Sequence, residues 1–293
     1  MMGRLILIDG FNLLSRGYFA TAYGKTEEEL TKTEEGLFTN ALRVKLQKII
    51  SLVKEYEPSH LVVTWDVKRN ETKRKELFED YKGTRQDLPS ALIQQYETAV
   101  NLFHVTGIPQ MSVEGFEADD VMGTLSDRWT REGMGDCYIY SNDRDLLQLL
   151  NPSVSQIIAI RKEGDRVYTE EHFKSEYGIS PNQWIDVKAL LGDKSDNIPG
   201  VAGVGDKAAL PLIQQYGSVN GVYENIETLD SKFNRYHKKL IAGEELAKLS
   251  RQLVTIECAI PHLENHSFDD SKLDVNYEQL KKELDSLGLR IRM

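Results

Sequence analysis

The chain has 293 residues and carries 36 Lys+Arg against 46 Asp+Glu, a net charge of −10 at pH 7. That length accommodates about two domains with full cores, and 40% hydrophobic with 28% charged residues is ordinary globular composition. The acidic balance argues against a generic basic nucleic-acid coat protein. The two distant cysteines, Cys137 and Cys258, argue against a disulfide scaffold or zinc ribbon.

In chain order, residues 5–8 form a short apolar run that ends on a charge, too short for a signal peptide. No run approaches the ~20 apolar residues of a membrane span. A reducing, cytoplasmic setting without membrane contact is therefore expected. Residues 5–8, 61–65 and 138–140 are continuous and rich in Ile, Val and Tyr, which predicts buried strands. Between them, apolar positions 42, 46, 49, 50 and 53 recur at helical spacing. Strands alternating with helices predict an α/β unit with a central, mostly parallel sheet. Residues 156–160 and 166–168 flank Lys162-Glu163-Gly164-Asp165 and predict a hairpin. After about residue 170 the texture turns helical. Pro181 opens a predicted helix to residue 190, and four glycines with Pro199 follow over residues 192–205. The expected division is 1–172 as the α/β domain and 173–293 as a helical domain.

The informative feature is where the acids fall. Asp9 closes the first strand, Asp66 the second, and Asp143 and Asp145 follow the third. In an open α/β sheet the crevice outside the strands' carboxyl ends is where ligands bind. Asp also favours turns, so any one of these has an ordinary explanation. Glu117, Asp119 and Asp120 occupy the first turn of a helix whose Val121, Leu125 and Trp129 predict a buried face. Asp193 and Asp196 sit in a Gly-containing turn. If all nine converge, like charges ~4 Å apart repel by about 4 kcal/mol at an effective dielectric of 20. Divalent cations resolve that repulsion, and all-oxygen ligation suits Mg²⁺ or Mn²⁺. Two such ions ~3.5–4 Å apart form a phosphodiester-cleaving arrangement. None of the six histidines is read as catalytic.

Residues 68–85 hold seven basic residues, among them Lys68, Arg69, Arg74, Lys82 and Arg85, for a local net of +3. Following Asp66 directly, the segment is expected to overhang the acids, with Tyr81 free to stack on a base. The glycine-rich run 200–207 precedes a helix, where backbone N–H groups approach phosphate. Residues 231–251 carry a net of +4 and read equally as a second phosphate-facing patch or a plain amphipathic surface.

Together, LILIDG with Arg16 downstream, VVTWD, RKELFEDYKGTR, GFEADDVMGTL, SNDRDLLQL and GDKSDNIPGVAGVGDKAA resemble the 5′-nuclease (flap endonuclease) family, over nearly the whole chain. Its look-alikes are the 5′-nuclease domain of bacterial DNA polymerase I and the stand-alone bacterial and phage 5′-3′ exonucleases. The resemblance implies a PIN-like nuclease domain, a helical arch and a helix–three-turn–helix region. It implies a two-metal-ion 5′-3′ exonuclease and flap endonuclease acting in DNA replication and repair. Its substrate would be DNA with 5′ flaps or 5′ ends, RNA-primed ends included, and the protein a monomer. By position, Asp9, Asp66, Glu117 and Asp119 match acids nearer the first metal. Asp120, Asp143, Asp145, Asp193 and Asp196 match those at or around the second. Lys82 and Arg85 match arch residues that reach the scissile phosphate, and Arg16 and Arg74 match positions near the bound strand. Gly203, Gly205 and Lys207 match the motif that holds duplex phosphates and a potassium ion. Three positions depart from the pattern. Asn142 replaces a usual Gly and is expected to tolerate a left-handed turn. Ala208 replaces a common Thr, and Pro211 is expected to kink the helix after Lys207 or shift its start.

Overall fold

The computed structural model describes residues 3–67 and 71–291. Six strands form one sheet: β1 (Gly3–Asp9), β2 (His60–Thr64), β3 (Gln110–Met111), β4 (Gly135–Tyr140), β5 (Val154–Ile160) and β6 (Gly164–Tyr168). Helices α1 (Gly10–Ala22), α2 (Asn40–Tyr56), α3 (Lys73–Leu77), α4 (Ser90–Thr106) and α5 (Ala118–Arg131) lie between the first four strands. After β6 come α6 (Glu170–Tyr177), α7 (Trp184–Leu191), α8 (Asp206–Tyr216), α9 (Val219–Glu224), α10 (Asn234–Ala242), α11 (Glu244–Val254) and α12 (Tyr277–Ser286).

The strand order is β3-β2-β1-β4-β5-β6, parallel except for β6, which pairs antiparallel with β5. Leu5, Ile6, Leu7 and Ile8 are fully buried because both faces of the sheet are covered. Alternation divides them. Leu5 and Leu7 pack with Val121, Leu125 and Trp129 of α5, while Ile6 and Ile8 pack with residues of α1, α2 and α4. The chain leaves β1 outward to β2 and β3, then crosses back to β4 on the other side. Connections from β1 and β4 therefore diverge, and a crevice opens between their carboxyl ends.

The predicted strands and hairpin form, with differences at their ends. β2 stops at Thr64, so Trp65 and Asp66 belong to the following loop, and β3 has only two residues. The predicted helix at 181–190 starts as a 3-10 turn, Pro181–Gln183, before α7 takes over. Among the described residues, the segment expected as a helical arch contains the five-residue α3 and turns at 79–84 in place of a long helix. Lys68 and Arg69 lie outside the described residues.

Helices α7 to α10 surround a separate core with Trp184, Leu190, Leu212 and Leu240. The chain then returns. Ile256, Ile260 and Phe268 join the α5 side of the sheet, and Leu280, Leu284 and Leu287 join the α2/α4 side. A single cut at 172/173 thus does not separate the cores.

Pro211 neither breaks α8 nor delays it: the helix starts at Asp206, beside Gly205. Only the carbonyl of Lys207, one residue into the helix, loses an N–H partner, at a site open to water. Ala208 is fully buried.

Candidate functional site

A cavity of about 240 Å³ lies at the carboxyl ends of β1, β2 and β4, and seven of the nine acids line it: Asp9, Asp66, Glu117, Asp119, Asp143, Asp145 and Asp196. Each is placed by local backbone. Asp9 ends β1 and caps α1, accepting from the Asn12 N–H at 2.9 Å and from Ser141 Oγ at 3.1 Å. Asp66 accepts from the N–H of Ala118 at 2.9 Å, at the start of α5, where the helix dipole favours a carboxylate. Glu117 is the N-cap of the same helix. Asp143 accepts from the Asp145 N–H at 2.9 Å, which sets the two side chains of the turn after β4.

The carboxylates disturb one another. Burial, then the neighbouring Asp66 and Asp143, raise Asp9 to about 7. Burial, then Asp143 and Asp9, hold Asp119 well above the usual carboxylate range. Burial and Asp143 raise Asp145 to about 6 against the opposing pull of Lys188. A set of oxygen ligands that burial and mutual repulsion push toward protonation fits a hard divalent cation, whose charge would reverse both effects. Among the described residues no three His, Cys, Asp or Glu side chains are grouped closely enough to hold an ion as they stand. Mg²⁺ does not need a closed protein cage, because it keeps waters and takes one or two carboxylates plus substrate phosphates.

Basic side chains compensate the acids from within. Lys82 Nζ lies 2.8 Å from Glu117 and 3.8 Å from Asp196, and Arg85 pairs with Asp196. Burial alone would lower both basic groups, but Glu117 and Asp196 raise Lys82 and Asp196 raises Arg85. The backbone helps: Lys82 adopts φ 53°, and its N–H donates to the Asp196 carbonyl at 2.8 Å. The segment from Asp80 to Arg85 is thereby stitched to the loop bearing Asp193 and Asp196, which explains why it is a turn rather than a long helix. Arg16 also lines the cavity and donates to Asn142 Oδ1 at 2.5 Å.

Four of the expected site residues already have partners within the protein. Asp120 is 2% exposed and faces away from the cavity, where it takes both guanidinium nitrogens of Arg74 at 2.7 Å and the N–H groups of Glu117 and Glu257. With its acceptors already used, Asp120 is a structural anion. Arg74 is its counter-ion and lines the cavity as well; it also donates to the carbonyls of Leu253 and Thr255, tying α3 to the end of α11. Tyr81 is 3% exposed and donates to Glu117 at 3.1 Å, so its ring is not available to a base. Asp193 is outside the cavity lining. Burial would raise it, but Lys188 at 2.7 Å and Ser195 bring it down to about 2.

Asn142 does not use a left-handed turn. Its side chain pairs with the Ala159 carbonyl and N–H at 2.8 and 3.0 Å, like an added rung on β5. Gly203 has φ 78°, a conformation that favours glycine, and a Cβ there would meet Lys239 Nζ at 2.7 Å. Gly205 is the N-cap of α8, and Lys207 is exposed in its first turn. None of the three is among the residues that line the acid cavity. The +4 patch is partly spent internally: Lys248 pairs with Glu244 and Glu245, and Arg251 with Asp186.

Two residues escaped the sequence reading. Lys188 of α7 bridges Asp145 at 2.9 Å and Asp193 at 2.7 Å. Lys45 is fully buried, donates to the carbonyl of Gly10 at 2.9 Å and lies 3.6 Å from the Trp65 ring centroid. It links the residue after Asp9 to the residue before Asp66. Its signal was there: position 45 falls on the apolar stripe of α2, between 42 and 49, where a lysine is out of pattern.

Comparison with known proteins decides the family. The 5′-3′ exonuclease N-terminal resolvase-like domain model matches residues 4–178, and the 5′-3′ exonuclease C-terminal SAM-fold model matches 179–280. The chain belongs to the 5′-3′ exonuclease family. It is 52% identical to a 5′-3′ exonuclease of Halalkalibacterium halodurans, over 99% of this chain and 95% of that one. It is also 37% identical to a DNA polymerase I of Caldicellulosiruptor bescii, over 88% of this chain but only 29% of the polymerase. Among solved structures, the bacteriophage T5 flap endonuclease in a pseudo-enzyme-product complex with DNA and metal ions shares the fold, with TM-score 0.65, 23% identity and coverage of 97% and 99%. The fold of this 5′-3′ exonuclease family member is thus a mostly parallel sheet flanked by helices, followed by a helical SAM-type unit. Among the described residues no helix is long and apolar enough to cross a membrane.

Two predictions follow from the charges. Asp9 keeps its proton to about pH 7 when folded, against an ordinary value of 3.8. The folded state therefore binds more protons between those values, and stability in EDTA falls as pH rises through that window. Melting in EDTA is expected to drop by on the order of 5 °C from pH 5 to pH 8, and less in Asp9→Asn; a flat profile would remove the repulsion argument. Separately, Asp120→Ala should cost about 3 kcal/mol in urea unfolding, because it strands a buried Arg74. Asp119→Ala should cost little or stabilise the EDTA-treated protein, and equal losses would contradict the distinction.

Proposed function

We propose that the chain is a divalent-metal-dependent, structure-specific 5′ nuclease, a 5′-3′ exonuclease and flap endonuclease on DNA. The observation that carries this reading is the convergence of seven carboxylates from three strand ends, the start of α5 and one loop on one cavity, with Lys82 and Arg85 at its wall. Asp9, Asp66, Glu117, Asp119, Asp143, Asp145 and Asp196 would hold two Mg²⁺ or Mn²⁺ ions. When bound, such ions activate water and stabilise charge on the oxygens of the phosphodiester.

The chain's own residues do the rest. Asn12 and Ser141 fix the orientation of Asp9, and the N–H of Ala118 fixes Asp66. Lys188 and the turn at Asp143 orient Asp145. Lys82 and Arg85 exchange their carboxylate partners for the scissile phosphate and offset its added charge in the transition state. Arg16 lies on the same wall and suits a neighbouring phosphate. The products would be a 5′-phosphate and a 3′-hydroxyl.

Residues 1–172 supply most of the chemistry in this reading, joined by Asp196 and Lys188 from the second part, and the helices within 173–293 grip duplex backbone without reading sequence. Gly203, Gly205 and Lys207 are the proposed phosphate contacts, with a potassium ion at the same motif. The substrate would be DNA with 5′ flaps or 5′ ends, including RNA-primed ends, handled by a cytoplasmic monomer in replication and repair. A labelled 5′-flap duplex tests the reading. Cleavage is expected with Mg²⁺ and not with EDTA, and Lys82→Ala and Asp145→Asn should each slow it about 10²-fold or more. Flap binding without turnover, unchanged in Asp145→Asn, would make the chain a non-catalytic DNA-structure binder instead.

A further inference from the structure

Helix α1 begins inside the cavity, where Asn12, Ser15 and Arg16 line the wall. Its opposite face is buried through Leu13, Leu14, Gly17 and Tyr18. Counting about 100° per residue, Asn12, Ser15, Arg16, Phe19 and Tyr23 fall within an arc of about 100° opposite that buried face. The same stripe that faces the acids thus continues along the helix to Phe19, 57% exposed, and to Tyr23 at the C-cap, 90% exposed. Two large aromatic rings standing this far into water gain nothing for the core, whereas the cavity-lining part of the stripe is polar. Phe19 is held in edge contact with Tyr18, at 5.4 Å between ring centroids.

From this continuity we infer that Phe19 and Tyr23 form a stacking track for the unpaired bases of the strand being cut, an inference that rests on the nuclease reading. Phe19 and Tyr23 are four residues apart, about 6 Å along the helix axis. That exceeds the ~3.4 Å stacked repeat of a duplex strand, so each ring takes a base from an unstacked strand rather than from a helix. Stacking accepts any base, because every base has a π-face, and this suits an enzyme that must accept any flap sequence. Arg16, one turn closer to the acids on the same stripe, would take the phosphate between the track and the cavity. Tyr81, which the sequence offered for this task, is buried, so the stacking function passes from the overhanging segment to α1.

The test uses the full chain with both rings removed, Phe19→Ala and Tyr23→Ala, and with Phe19→Trp as the conservative form. Both positions are exposed, so the melting temperature should not move. One probe is a duplex with a six-nucleotide 5′ thymidine flap, another the same flap made abasic, and a third a duplex with no flap. The expected result is a KM for the thymidine flap raised at least tenfold in the double variant, with kcat retained at saturation, no change for the flapless duplex, and recovery in Phe19→Trp. The abasic flap should weaken wild type by a similar factor and the double variant no further. Anisotropy binding of the thymidine flap in EDTA should show the same ranking. Equal losses with and without a flap, or no loss at all, would overturn the track. If wild type cut nothing, the nuclease reading would fail, while the binding ranking would still decide whether the rings hold bases.

Discussion

The rest of the site depends on repulsion between carboxylates that the sheet forces together. β1 and β4 are neighbours whose connections leave in opposite directions, so their carboxyl ends frame a crevice, and both end in Asp-bearing turns. Asp9, Asp119 and Asp143 share one cavity, and the response appears in the elevated Asp9, Asp119 and Asp145. Such a cluster is unfavourable for the folded chain alone and favourable only when positive charge is supplied. Active sites commonly hold strain of this kind, supported by the surrounding fold.

Part of the positive charge is internal, and it couples distant segments to the cavity. Lys82 and Arg85 bring the segment after α3 down onto Glu117 and Asp196. Lys188 ties α7 of the helical region to Asp145 in the turn after β4. Arg74 joins α3, the start of α5 and the end of α11 through Asp120 and two carbonyls. The acids therefore act in two layers. Those facing the cavity make up the proposed ion site, and those behind it, Asp120 and Asp193, anchor the cations that hold the walls.

Much of this was legible in the sequence because it rests on local rules. Short apolar runs gave the strands, an acid after each gave the crevice, and Glu117 with Asp119 in the first turn of an amphipathic segment gave the α5 end. What was not legible depends on direction and distance across the fold. Asp119 and Asp120 are adjacent in sequence but point to opposite sides of the helix terminus, and nothing local says which meets Arg74. Tyr81 and Lys82 are likewise adjacent, and only the turn at Lys82 buries one and leaves the other at the wall. Lys188 reads as a helix C-terminal base until α7 is placed beside Asp145. The return of residues 256–289 to the sheet is a tertiary choice that no segment announces.

The most direct test of the charge argument is anomalous diffraction from crystals soaked in Mn²⁺. Two peaks about 3.5–4 Å apart, each about 2 Å from carboxylate oxygens among Asp9, Asp66, Asp119, Asp143 and Asp145, are the expected result, with Asp120 and Asp193 still paired to Arg74 and Lys188. An empty cavity at saturating Mn²⁺, or an ion seated on Asp120 with Arg74 displaced, would contradict it.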